Sequence, residues 1–263
     1  MRPSAQGAAP LSAGSVAVLV MVDFKPSHPW WAWSRLVLQG LTLHGVQGLR
    51  FAKVLGSGQG GGFGVLPSAT HQGLYLGFDD ESAALMFVQH SPQLAAYQRH
   101  ARAWAVVGLR ASSSRGAWSG RALQTSTPAP TTGPVAVLTR ASIKPLQARA
   151  FWRLSPAAEA ALAAAPGCRL AMGLGEAPLL RQATFSLWDS TASMEAYARS
   201  GAHLQAIRAA YGGGHFSETM FTRFAPLWGQ GHWQGVDLAA WLGDCAVGGP
   251  RQTSDGAPEL HGC

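Results

Sequence analysis

The chain has 263 residues, of which 47% are hydrophobic and 13% are charged, and its net charge is +7. No apolar run reaches the roughly 18 residues that a membrane-spanning helix needs, and three widely spaced cysteines suggest neither a disulfide framework nor a metal site. The arginines are scattered, which argues against a nucleic-acid-binding stripe. We therefore expect a protein of a reducing, cytoplasmic compartment, without a secretory signal.

The first predicted elements are a buried strand and the helix that follows it. The strand VAVLVMVDF begins at Val16 and is rich in β-branched residues, and WWAWSRLVLQGLTLH comes next as a helix. A second strand, LRFAKVLG, a glycine-rich loop and a third strand, GLYLGF, follow. A helix that begins near Asp80, a residue type that caps helix N-termini, precedes the closing strand WAVVGLRA.

The glycine-rich loop LGSGQGGGFG contains the dinucleotide-binding pattern G-x-G-x-x-G at Gly56, Gly58 and Gly61. That pattern requires a helix directly after it, because the helix N-terminus holds the pyrophosphate. FGVLPSATHQG follows instead and has no helical period. We therefore expect either a loop that approaches a ligand or a wide connector.

The second half of the chain repeats the phrases of the first half in the same order. VAVLTRASIKP begins at Val135, 119 positions after Val16, and GCRLAMGLG follows GLRFAKVLG at the same distance. QATFSLWDS follows QGLYLGFDD at a distance of 110 positions, so the second copy has a shorter loop. QGHWQG similarly resembles RGAWSG. Four matching blocks in one order indicate an internal duplication.

Each copy has the order strand–helix–strand–strand–helix–strand, which is that of a ferredoxin-like βαββαβ unit of the α+β class. Helices cover one face of such a sheet, and the other face needs an apolar partner, which the second copy can supply. We therefore predict tandem repeats, residues 15–120 and 135–240, that form a dimeric α/β barrel within one chain. Residues 121–134 are the predicted linker, and residues 1–14 and 241–263 are predicted disordered tails.

The two copies differ at a histidine of the last predicted helix. At the 110-residue offset His203 stands opposite Gln93, although the apolar face beside it is kept. An imidazole that faces an apolar cavity suits the axial position of haem iron, whereas the alternative is an ordinary histidine bonded to the backbone. His215 is the alternative metal ligand. Cations of the second copy could pair with an anionic cofactor group or be solvated, and the candidates are Arg140, Lys144, Arg181, Arg208 and Arg223.

Several phrases together resemble one enzyme family. They are TRASIKP…AFWR (139–153), GLGEAPLLRQATFSLWDSTASMEAYA (173–198), HLQAIR (203–208), FSETMFTRF (216–224) and, in the first copy, FAKVLGSGQGGGF (51–63). They resemble the spheroidene monooxygenase family of carotenoid biosynthesis over residues 15–240. The resemblance implies a dimeric α/β barrel and a haem-dependent activity that uses O₂ and reduced ferredoxin to insert a keto oxygen into an acyclic carotenoid such as spheroidene. It also implies that His203 is the haem ligand.

A carotenoid is long and apolar, so its pocket needs aromatic and aliphatic walls more than charges. The wall candidates, each of which could also be plain core, are Trp152, Phe185, Trp188, Phe221 and Phe224. Because carotenoids lie in membranes, a basic protein with exposed tryptophans could dock on the inner or photosynthetic membrane. Two alternatives remain open, namely a related barrel oxygenase with another apolar substrate and a non-catalytic barrel that only binds an apolar molecule.

Overall fold

A computed structural model describes residues 14–153, 155–177, 179–199 and 214–247 of the chain. These residues have a mixed α+β fold with one large antiparallel sheet. The elements, in chain order, are β1 (Val16–Phe24), α1 (Pro29–Thr42), β2 (Leu49–Gly58), β3 (Pro67–Phe78), α2 (Glu81–His90), α3 (Pro92–His100), β4 (Ala101–Gly116), β5 (Val135–Ile143), α4 (Ala148–Trp152), α5 (Ser155–Ala163), β6 (Cys168–Ala177), β7 (Arg181–Trp188), α6 (Thr191–Arg199), β8 (Phe216–Trp233), β9 (Val236–Asp237) and α7 (Leu238–Val247). None of the described helices is long and apolar enough to cross a bilayer.

The strand order in the sheet is β4-β1-β3-β2-β6-β7-β5-β8-β9, and β4 also pairs with β8. We call β1–β4 with their helices the first half and β5–β8 with theirs the second half. Within the second half β5 pairs with β7 and β8, as β1 pairs with β3 and β4 in the first half. The halves are joined by a long β4–β8 pairing on one side and by a single pairing, Gly56↔Gly175, on the other.

The two faces of the sheet have different neighbours. Successive strand side chains alternate between faces, so Leu19 and Met21 of β1 point inward, whereas Val18 and Val20 point outward. The inward side chains of both halves form one buried cluster, to which Leu138 of β5 belongs. The outward side chains pack under the helices of their own half. We call these two layers the inner layer and the outer layer.

Local sequence explains where several helices begin and end. The Asp80 carboxylate accepts a hydrogen bond from the Ala83 N–H at 2.8 Å and caps α2, and the Ser91 hydroxyl caps α3 in the same way. The single helix expected after the first strand of the second copy is instead divided into α4 and α5. Pro156 lies in the first turn of α5, where its missing N–H costs nothing; inside a longer helix it would remove a hydrogen bond and clash with the preceding turn.

A disordered tail was expected from residue 241 onward, but residues 238–247 form helix α7. Leu238 and Leu242 of α7 are buried against β8. A Cβ atom at Gly229 would lie 2.8 Å from the Leu238 Cβ, so the glycine lets α7 pack closely on the strand. The apolar spacing of Leu238, Trp241 and Leu242 was the sequence signal for this helix. Residues 1–13 and 248–263 of the expected tails lie outside the described residues.

Candidate functional site

A cavity of about 200 Å³ lies in the outer layer of the second half, between the sheet and helices α5 and α6. We call it the main cavity. Its lining is predominantly apolar, and most of its polar side chains carry hydroxyl groups. Its floor is formed by Val137, Thr139, Ala141, Thr184, Ser186, Trp188, Thr219 and Phe221. Ala158 and Leu162 of α5 and Met194 and Tyr197 of α6 cover it.

Short side chains on β5 and β7 create this space. Alternation puts Thr184, Ser186 and Trp188 of β7 on the outer face, where two of the three are too short to reach the helices. The Ser186 hydroxyl accepts a hydrogen bond from the Trp188 Nε1–H at 2.9 Å. The indole N–H is therefore satisfied inside the protein, and its ring is left as an apolar wall.

A second cavity, of about 260 Å³, lies where the two halves meet between β2 and β6. We call it the seam cavity. Phe63 and Gln182 line both cavities, so these two side chains lie at their junction. The glycine-rich loop brings Phe63 there from the first half. A Cβ atom at Gly173 would clash with the carbonyl oxygen of Gly62, so this strand position needs glycine for the loop to lie on β6.

Two hydrogen bonds fix Phe63 to the second half. Its backbone N–H donates to Glu159 Oε1 at 3.1 Å, and its carbonyl accepts from the Ser155 hydroxyl at 3.0 Å. Both partners belong to α5, which also covers the main cavity. The first half therefore supplies one wall of a cavity that otherwise belongs to the second half.

A buried ionic network occupies the inner face of the second half near the seam. Arg140 has only 2% of its side chain exposed, and its guanidinium pairs with Glu218 and, at 3.4 Å, with Glu176. The Lys53 ammonium and the Trp118 indole N–H also donate to Glu176, at 2.8 and 2.5 Å. The Arg140 charge is thus neutralised within the protein by two carboxylates, and the residue also lines the main cavity.

The pKa of Glu176 reflects this network. Burial raises the pKa of this carboxyl group, but hydrogen bonds from Lys53 and Trp118 and the charges of Lys53 and Arg140 outweigh burial and hold the pKa below its usual value. Burial likewise raises the pKa of Glu218, and hydrogen bonds from the Gly120 and Ser119 N–H groups together with Arg140 lower it overall. Both groups are therefore carboxylates at neutral pH, as their partners require.

The five aromatic wall candidates do not lie together. Trp188 and Phe221 line the main cavity, and Trp152 lines the seam cavity, where its indole N–H donates to the Leu179 carbonyl at 2.8 Å. Phe185 and Phe224 are fully buried in the inner layer. Strand alternation explains this correction, because Phe185 and Trp188 are an odd number of positions apart on β7 and so face opposite sides.

The structure describes only some of the predicted metal ligands and cationic cofactor partners. His203 and Arg208 lie outside the described residues. His215 is buried, and its Nδ1 has no hydrogen-bond partner among the described residues; the next residue, Phe216, lines the main cavity. Lys144 is exposed, and its backbone N–H donates to the His215 carbonyl at 2.8 Å. Across the described parts of the chain, no three His, Cys, Asp or Glu side chains form a group that could hold a metal ion.

Sequence reasoning missed the hydroxyl-bearing floor and the loop wall of the main cavity. Thr139, Thr184 and Ser186 stand where the first copy has Val20, Leu74 and Leu76 at the same offsets. Loss of apolar volume at three positions of one sheet face was therefore visible in the alignment of the copies. For Phe63 the sequence carried only the weaker signal of a glycine-rich loop.

Comparisons with known proteins agree with the resemblance seen in the sequence. No protein-family model matches the chain. A spheroidene monooxygenase of Rubrivivax gelatinosus is 50% identical over 224 residues, which cover 85% of this chain and 87% of that protein. A spheroidene monooxygenase of Rhodobacter capsulatus is 35% identical over 227 residues, which cover 84% of this chain and 93% of that protein.

Among solved structures, an aldoxime dehydratase in complex with butyraldoxime is similar with a TM-score of 0.54 and 10% identity, over 82% of this chain and 81% of that one. At this identity the likeness concerns the fold alone. The two sequence relatives, by contrast, align along most of the chain at 35% and 50% identity. The chain therefore belongs to the spheroidene monooxygenase family, a family of oxidoreductases.

Proposed function

We propose that this chain is a haem-dependent monooxygenase that inserts a keto oxygen into an acyclic carotenoid such as spheroidene, with O₂ and reduced ferredoxin as co-reactants. The main cavity is the observation that carries the proposal. It is an apolar space of about 200 Å³, in the half of the chain where the family phrases are densest. We also interpret the two halves as tandem ferredoxin-like repeats that close a dimeric α/β barrel through the β4–β8 pairing.

The walls of the main cavity suit a section of a polyene chain. Trp188, Phe221 and Met194 offer apolar surface, and exclusion of water by this surface favours binding of an apolar chain. The hydroxyl-bearing residues Thr139 and Thr184 lie on the floor, where their side chains can orient an oxygen-bearing group of substrate or product. The described lining has few titratable groups, as expected when a cofactor performs the oxidation.

Haem is compatible with these residues. It needs one axial ligand and apolar walls rather than a cluster of ligands, and when bound it supplies the activation of O₂. His203 is the proposed ligand because it follows Ala198, a residue that lines the main cavity, by five positions in the sequence. His215, with its unpartnered buried Nδ1, is the alternative ligand. Lys144, Arg208 and Arg140 are the proposed partners of the propionates; of these, Arg140 lines the main cavity and also pairs with two carboxylates.

An absorption spectrum of the purified protein tests the cofactor first. We expect a Soret band in the wild type, its loss in His203→Ala and its retention in the matched variant His215→Ala. The reverse pattern would move the ligand to His215. A folded protein that takes up no haem would overturn the haem proposal.

Activity tests the substrate. Wild-type protein with reduced ferredoxin, O₂ and spheroidene should yield a keto carotenoid in chromatography with mass detection. O₂ consumption with another apolar substrate but not with carotenoids would favour the related barrel oxygenase. Tight carotenoid binding without O₂ consumption would favour the non-catalytic binding barrel.

A further inference from the structure

Large apolar side chains are exposed around the mouth of the seam cavity. Trp33, Val65 and Leu179 line this cavity and are also exposed to solvent. Their chain neighbours Leu66 and Leu180 are exposed as well. Scattered apolar residues are normal on a protein surface, but a group that surrounds the entrance of a cavity indicates a binding surface.

Helix α1 extends this apolar surface. Trp30, Trp33, Val37 and Leu41 are exposed and follow one another at intervals of three or four residues, so they share one side of the helix. On the opposite side Ala32 is buried, and its carbonyl accepts a hydrogen bond from the Gln72 side chain at 2.6 Å. The core contacts of α1 therefore do not explain its outward apolar stripe.

The charges near this surface are positive. Helix α1 contains no acidic residue. Arg181 lines the seam cavity, and Arg149 and Arg153 lie within one turn of Trp152, which lines it too; all three arginines are exposed. Glu176 also lines the cavity, but Lys53 and Arg140 neutralise it. Tryptophans and cations around an apolar surface match the interfacial region of a bilayer that contains anionic lipids.

We propose that the outward face of α1, together with residues 65–66 and 179–180, is a docking surface for an anionic lipid bilayer. Docking in this way puts the mouth of the seam cavity at the acyl-chain boundary. A long apolar substrate then enters the seam cavity from the bilayer and reaches the main cavity past Phe63 and Gln182, which line both. The nature of this substrate rests on the proposed function, whereas the docking itself does not.

Sedimentation with vesicles tests the docking surface without any substrate. The full chain is mixed with phosphatidylcholine vesicles that contain or lack phosphatidylglycerol. We expect binding to the anionic vesicles, weakened at least about tenfold in the triple variant Trp30→Ser, Val37→Ser and Leu41→Ser. These side chains are 86%, 77% and 67% exposed and line neither cavity, so the variant should fold normally. Met86→Ser, at a 59% exposed position on α2, is the matched control and should bind as the wild type does.

Charge reversal tests the electrostatic part. Arg149→Glu and Arg153→Glu should each weaken binding to the anionic vesicles roughly fivefold and leave the weaker binding to neutral vesicles unchanged. Unaltered binding of the triple variant, or no binding of the wild type to either vesicle, would overturn the proposal. A wild-type oligomer that dissociates in the triple variant, measured by light scattering, would also overturn it and assign the surface to a protein partner.

A comparison of substrate forms separates this proposal from the proposed function. Protein that oxidises detergent-dispersed carotenoid but ignores vesicles refutes the docking surface alone. Protein that binds vesicles through α1 but oxidises no carotenoid in either form refutes the proposed function alone. If both proposals hold, the triple variant loses activity on vesicle-borne carotenoid and keeps it on detergent-dispersed carotenoid.

Discussion

The outer layers of the two halves have matching strand pairings but different contents. In the first half Val20 pairs with Leu74 and Val106, and all three are buried under helices. In the second half Thr139 holds the corresponding place and pairs with Thr184 and Phe221. The first trio belongs to a close-packed apolar cluster, whereas the second trio lies on the floor of the main cavity.

The next row of the sheet shows the same difference. Val22 and Trp104 pair in the first half, and Ala141 and Thr219 pair at the corresponding place in the second half. Protein interiors are packed at nearly crystalline density, so the loss of side-chain volume at Thr184, Ala141 and Thr219 leaves a space that the helices do not fill. The comparison teaches that a binding cavity can arise from side-chain size alone, without a change in strand pairing.

The inner layers differ in charge rather than in volume, and this difference should have the largest effect on stability. Arg140 stands where the first half has Met21, so Arg140→Met makes the two inner layers alike at this position. It also leaves Glu176 and Glu218 without their shared cation.

For Arg140→Met we expect a loss of about 3–5 kcal/mol in the free energy of unfolding, measured by chemical denaturation. Met21→Leu, the control, should cost less than about 1.5 kcal/mol. A loss below about 1 kcal/mol for Arg140→Met would mean that the network is not stabilising.

A larger side chain in the main cavity should make the packing of the second half's outer layer more like that of the first half. Thr184→Leu introduces the residue found at the matched position, Leu74. Because the added side chain would occupy the proposed substrate space, we expect kcat/KM for carotenoid oxidation to fall at least about tenfold, roughly 1.4 kcal/mol, with no loss of folding stability.

The reciprocal variant is the control for this prediction. Leu74→Thr should lower the free energy of unfolding by about 2–3 kcal/mol, because it truncates a buried leucine, and should leave kcat/KM of the folded enzyme unchanged. Unchanged kinetics in Thr184→Leu would show that the substrate does not use the main cavity.

Acidification should reveal a smaller contribution from Glu176, which stands where the first half has Ser57. Its pKa in the folded chain is below its ordinary value of 4.5, so its contribution to stability is complete above pH 4.5 and is lost as the pH falls through the lowered pKa. The difference in free energy of unfolding between the wild type and Glu176→Gln should therefore be constant from pH 7 to pH 5 and shrink below it. A difference that grows on acidification would contradict the lowered pKa.

Much of the secondary structure followed from the sequence. The β-branched, apolar phrases that begin at Val16 and Val135 form strands as predicted, and Asp80 caps a helix as expected. Family membership also followed from short phrases, because these are specific in order and wording. These features depend on residues that are neighbours in the sequence, so they can be predicted without knowledge of the tertiary structure.

The site depended on the tertiary structure. Thr139, Thr184 and Phe221 share one row only because of the pairing register of three strands distant in sequence. Phe63 reaches the second half only because a loop of the first half lies on Gly173. The sequence by itself determined the order of most strands and the family of this protein. Tertiary packing decided which aromatic side chains line a cavity and which fill the core, because a one-residue change of position along a strand moves a side chain to the opposite face.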